Sequence, residues 1–219
     1  MDTISVAFLP AWQWGAFVLL LPLLAWALAT APWRRFDSSE LVHVWYGGIF
    51  AMCLLWSIKA SVGTTLTFHL LGASVASLLS GARLALLGVA VVVAVATALR
   101  DGFWANYALS VLVMGTVPVS ITMAVHRATE RYLPPNLFIY FFAVAFLGSG
   151  LAMTGSALAA SAAVVLAAVQ PSMAFDEYSP YVLYLAFGEA TVSGMLMTLI
   201  VVYRSSWVAT FDDKRYLQR

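Results

Sequence analysis

The stretch NLFIYFFAVAFLGSGLAMTGSALAASAAVVLAAV, residues 136–169, contains no charged side chain. As one helix it would be about 50 Å long at 1.5 Å per residue, against a hydrocarbon core of about 30 Å. Gly148, Gly150 and Gly155 are the points at which it can bend or turn back. One bent helix and two short crossings both fit. The choice decides on which side of a bilayer the chain ends.

Composition makes the bilayer the relevant solvent. The chain has 219 residues, 63% hydrophobic and 10% charged, with a mean hydropathy of +0.91, whereas soluble domains carry about 25% charged residues. A net charge of +1 from 11 basic and 10 acidic residues excludes a nucleic-acid binder. The single cysteine, Cys53, rules out an internal disulfide and any CxxC pair. No GxxxxGK[ST] loop occurs, so ATP hydrolysis by that route is excluded, and no HExxH or GxSxG signature marks a hydrolase. The reading is a non-enzyme.

Apolar runs predict seven spans, near 11–31, 40–58, 64–80, 83–99, 104–125, 137–165 and 180–203. The first has no basic residue before it and is too long for a signal-peptide core, so it is expected to be retained. Lys and Arg collect on the cytoplasmic side of short loops. With the N-terminus outside, the inner segments hold Arg34, Arg35, Arg83, Arg127, Arg131, Arg204, Lys214, Arg215 and Arg219, and the outer ones only Lys59 and Arg100. Splitting 136–169 in two destroys that bias. The expectation is an all-α polytopic bundle of about seven transmembrane helices, one integral-membrane domain over 1–219, N-terminus outside, with 204–219 a short cytoplasmic tail. Pro134-Pro135 separates spans five and six, and Ser179-Pro180 supplies a cap and first residue for span seven. Trp12, Trp14, Trp33, Trp56, Trp104 and Trp207 fall near predicted interfaces.

Polar groups within apolar spans are functional candidates. In this topology His69 lies roughly 8 Å, Cys53 roughly 9 Å and Glu189 roughly 14 Å below the outer surface, depths that one small-molecule or ion site can share. Thr65, Gly72, Ala73 and Ala76 form a small-residue stripe beside His69, and Gly188 and Gly194 flank Glu189, so both polar side chains are expected to face inward. His69, Glu189 and Cys53 are the candidate metal-contacting set. Structural pairing of Glu189 with Lys59 or His69, and packing for Cys53, are the competing accounts. His43 and His126 lie toward cytoplasmic ends, where interfacial solvation is expected. Haem is disfavoured because His43 and His69 fall in opposite leaflets. A metal-capture subunit and a non-transporting accessory or scaffold subunit of a larger complex remain.

GTTLTFHLLGASVASLLSG, residues 63–81, resembles the GTS-x-HL-x-GA segment of the CbiM/NikM-like permeases, the substrate-capture subunits of energy-coupling-factor transporters. FGEATVSGML (187–196) resembles the GEA segment of their last helix. FLPAW (8–12), ERYLPPNLFIYFF (130–142) and the chain from Phe187 to Leu217 resemble a bacterial branch of that family. The resemblance implies a seven-helix subunit of the bacterial inner (plasma) membrane, taking a divalent transition metal ion as substrate with no resident cofactor. Its implied partners are membrane lipid, a transmembrane coupling subunit and two ATPase subunits. In nickel and cobalt members a histidine at the second position and the amino terminus join the HL-x-GA histidine on the metal. The last of these corresponds to His69. The first is absent, since the chain begins Met1-Asp2-Thr3 and has no histidine before His43. An aspartate there favours a harder or more weakly held ion.

Overall fold

The computed structural model describes residues 3, 6–58, 60–62, 66–99, 103–167 and 174–216, with the backbone alone described at 60–62, 66–68 and 174–180. Helices α1 (Pro10–Thr30), α2 (Ser39–Ser57), α3 (Ala73–Ser80), α4 (Ala82–Leu99), α5 (Trp104–Tyr132), α6 (Leu137–Ala167), α7 (Ala174–Arg204) and α8 (Asp213–Tyr216) follow in order. A two-stranded antiparallel hairpin, β1 (Ala60–Val62) and β2 (Leu66–Phe68), lies between α2 and α3. Among the described residues six helices are long and apolar enough to cross a membrane: α1, α2, α4, α5, α6 and α7. Exposed Val18, Leu19, Phe50, Leu99 and Leu183 show that they are apolar outward as well as inward, the pattern of helices surrounded by lipid. The β-branched run VVVAV in α4 stays helical because a spanning segment must satisfy its backbone polar groups internally.

The expected third span, 64–80, is corrected. It is not a continuous helix: β2 and an extended stretch through Leu71 lead into α3, which has only eight residues. Non-helical backbone is tolerated at membrane depth only where protein satisfies its polar groups. Here the Trp56 indole Nε1–H donates to the Leu71 carbonyl at 3.0 Å, and Glu189 accepts from the Leu71 and Gly72 amides. Gly72 (φ 68°) and Gly81 (φ 83°) bracket α3 in conformations that L-residues rarely adopt.

The stretch 137–167 forms one helix. Asn136 starts it, its Oδ1 accepting from the Phe138 amide at 2.8 Å, as the proline pair before it led one to expect. Its irregularity is a π-helical segment, Tyr140–Leu147, ahead of the glycines rather than a bend at them. The glycines serve packing instead. A Cβ on Gly150 would lie 3.4 Å from the Ala186 carbonyl on α7, and one on Gly148 3.3 Å from Val125 on α5. A second π segment, Leu112–Thr116 in α5, directly precedes Pro118, whose ring and missing N–H disturb the regular ladder one turn back. Helix α7 begins at Ala174, so Ser179-Pro180 lies within it rather than at its start.

The contacts sort helix ends onto two faces. On one, Arg83 at the start of α4 donates to the Thr30 carbonyl at the end of α1, Trp207 donates to Glu40 at the start of α2, and the tail reaches Glu130 of α5 through Arg215. On the other, the Leu9 amide before α1 bonds the Ala167 carbonyl at the end of α6, and Gln13 of α1 bonds Asn106 of α5. The tail is packed down. Phe211 and Tyr216 stack at 4.8 Å against Tyr140, and burial raises the Tyr216 phenol above its usual pKa, leaving it neutral as a packing group.

Candidate functional site

The extended stretch between β2 and α3 carries His69 into the interior, where it is 5% exposed. Its imidazole lies 4.6 Å from the Trp56 ring, centroid to centroid. Nδ1 sits 3.1 Å from the Leu70 carbonyl. A carbonyl only accepts, so Nδ1 carries a proton in this contact, and Nε2 is buried. A backbone carbonyl fixing one ring nitrogen and orienting the other is the arrangement that supports histidine ligands in metal sites. Trp56 is 1% exposed. It was expected at the interface and instead spends its N–H on Leu71 and its face on His69.

Glu189 faces inward as expected, 2% exposed on α7. Its Oε2 accepts from the Leu71 amide at 2.8 Å and its Oε1 from the Gly72 amide at 2.9 Å. These amides lie two and three residues beyond His69. Both carboxylate oxygens are therefore engaged with backbone at the entry to α3, where a negative group also meets the positive end of the helix. Cys53, half-buried, lines a different cavity of about 350 Å³ with Trp56, Ser57, Val92, Val95, Ala96 and Leu99. Lys59, weighed as a partner for Glu189, lies outside the described residues, as does Asp2. Among the described residues no three His, Cys, Asp or Glu side chains converge as a metal set. His43 is exposed, whereas His126, expected to be solvated, is 6% exposed on α5, 3.6 Å from Glu130.

Sequence reasoning missed the anchoring of the amino-terminal segment. Thr3 is fully buried, its hydroxyl 2.8 Å from that of Ser110. Asn106, also fully buried, donates from Nδ2 to the Thr3 carbonyl at 3.3 Å and the Val6 carbonyl at 2.5 Å, and accepts from Gln13 at 3.0 Å. An asparagine at the start of a span offers no local signal distinguishing this from an ordinary cap; the partners lie about a hundred positions away.

A family model described as the cobalt uptake substrate-specific transmembrane region, CbiM, matches residues 4–207. Two crystal structures share the fold. One, of a truncated transition metal transporter, has a TM-score of 0.72 at 12% identity and covers 91% of this chain and 99% of its own. The other, of a transition metal transporter, has a TM-score of 0.67 at 12% identity, covering 88% of each chain. No curated protein matches.

Proposed function

The chain belongs to the CbiM family of cobalt-uptake substrate-specific transmembrane regions, and from that premise we propose that it is the substrate-capture subunit of an energy-coupling-factor transporter for a divalent transition metal ion. It is a membrane transport protein and not an enzyme. The feature that carries the metal reading is His69: buried, 4.6 Å from the Trp56 ring and engaged through Nδ1 by the Leu70 carbonyl, with Nε2 the nitrogen proposed to meet the metal. Glu189 serves as the group that holds the His69 loop, since its oxygens are occupied by the Leu71 and Gly72 amides. Asp2, which lies outside the described residues, is proposed as a second donor, and an oxygen ligand of that kind would favour a harder ion than an all-nitrogen set.

Seven crossings complete the reading. The third is made by the extended stretch from β2 together with α3, which runs from beside Met52 and Leu55 near the end of α2 to Arg35 on the tail face. The excess of Lys and Arg on that face makes it cytoplasmic in a bacterial inner membrane, with His69 toward the outside. Lacking an ATP site, the chain takes its energy from a coupling membrane subunit and two ATPases. Metal analysis of protein purified from metal-replete cells tests the reading. Stoichiometric metal in the wild type, with affinity weakened at least about 100-fold in His69→Ala, supports it. A metal-free wild type favours the scaffold alternative.

A further inference from the structure

We propose that α3 is a hinged rod through which the carboxyl-terminal tail, 205–216, controls the position of the His69 loop. The inference rests on the capture reading only in treating His69 as the substrate contact.

Five observations converge on this short helix. Its amino-terminal end is held by Glu189 through the Leu71 and Gly72 amides. Its carboxyl-terminal carbonyls, which no helix satisfies by itself, are taken by the tail: the Ala209 amide donates to Leu79 at 3.0 Å, and the Thr210 amide and hydroxyl donate to Leu78 at 3.3 and 3.0 Å. Thus α7 and the chain that continues from it clasp α3 at both ends. The side chains add to this contact, since Val75 and Leu78 of α3 are buried with Val208 and Phe211 of the tail in a cluster shared with α6 and α7, while Ala73 and Ala76 pack into the main core.

The connections at either end of α3 permit rotation, because both are glycines at positive φ, Gly72 and Gly81, the only such glycines among the described residues. One flank is also open. A groove of about 790 Å³ between α2 and α7 is bordered by Val75, Ala76 and Leu79 and reaches Gly72 and Glu189. A rigid segment with glycine joints, an open groove beside it and its far end tied to a surface tail transmits displacement of the tail to the loop two residues past His69. The tail's outward contact, Arg215 with Glu130, is exposed to any partner that docks on that face.

Hydrogen exchange by mass spectrometry on the full chain in lipid nanodiscs, without metal, tests this. Thr210→Val removes the hydroxyl contacts to Leu78 and Tyr140 and is expected to speed exchange of the Leu71 and Gly72 amides by about fivefold for each net hydrogen bond lost. Thr210→Ser restores protection. Coupling is reciprocal, so Glu189→Gln speeds exchange at Ala209 and Thr210 by more than it does in α4. If Thr210→Val instead loosens the whole chain, including α4, Arg215→Met, which removes the tail's contacts with Glu130, repeats the test. Changes confined to 205–216, with Leu71 and Gly72 unaffected, overturn the proposal. Since no metal is present, the result stands whether or not the chain carries one.

Discussion

Glu189→Gln exchanges one carboxylate oxygen for an NH2 group at nearly constant volume. In the wild type both oxygens accept backbone N–H groups, at 2.8 and 2.9 Å, on a side chain that is 2% exposed. Glutamine keeps one acceptor and turns a donor toward the other amide. A buried N–H left without an acceptor costs about 1–3 kcal/mol, and the bond that survives falls from charge-assisted to neutral strength, a further loss of about 1 kcal/mol. Destabilisation on the order of 2–4 kcal/mol follows. Reversible unfolding in mixed detergent, followed by tryptophan fluorescence, measures it, since Trp56 touches the same loop through Leu71. Metal affinity should fall about 10–100-fold without vanishing, the size expected when a supporting group rather than a ligand is lost. Stability unchanged within about 0.5 kcal/mol together with complete loss of metal would refute the reasoning and make Glu189 a ligand.

Trp56→Phe keeps a ring against His69 but removes the donor to Leu71; a loss of about 1 kcal/mol and weaker metal binding are expected by unfolding and titration. Cys53→Ser should leave metal content unchanged, because the thiol borders a cavity lined by neither His69 nor Glu189. Asn106→Leu strips the Thr3 and Val6 carbonyls of their donor, and limited proteolysis should cut the amino-terminal segment faster than in the wild type. Gly115→Ala places a methyl 3.0 Å from Val89 Cγ1 on α4 and should cost about 1–3 kcal/mol, with Val89→Ala relieving most of it in a double-mutant cycle.

The membrane class, six of the spans, the facing of Glu189 and the burial of His69 were legible in the sequence because each is a local property. Hydropathy summed over a window the length of a bilayer locates a helix, and an ionisable group inside such a window has little choice but to face protein. Pro134-Pro135 likewise announced the boundary between α5 and α6, and steric punctuation of that kind acts within a turn. The length of 136–169 left one crossing or two undecided. The ends of α6, bonded to the Leu9 amide on one face and packed against the tail on the other, make it one.

Tertiary structure alone decided the interior. The stretch 64–80 is as apolar as a spanning helix, and hydropathy does not distinguish side chains that face lipid from side chains that face protein. It departs from helix because its exposed amides find Glu189, more than a hundred residues away, and its Leu71 carbonyl finds Trp56. The same long-range pairing buried Trp56 and His126, which local rules place at the interface, and committed Glu189 to backbone rather than to an open coordination site. A backbone polar group in an apolar medium takes whichever partner the packed bundle brings within reach, and that partner is not encoded near it in the chain.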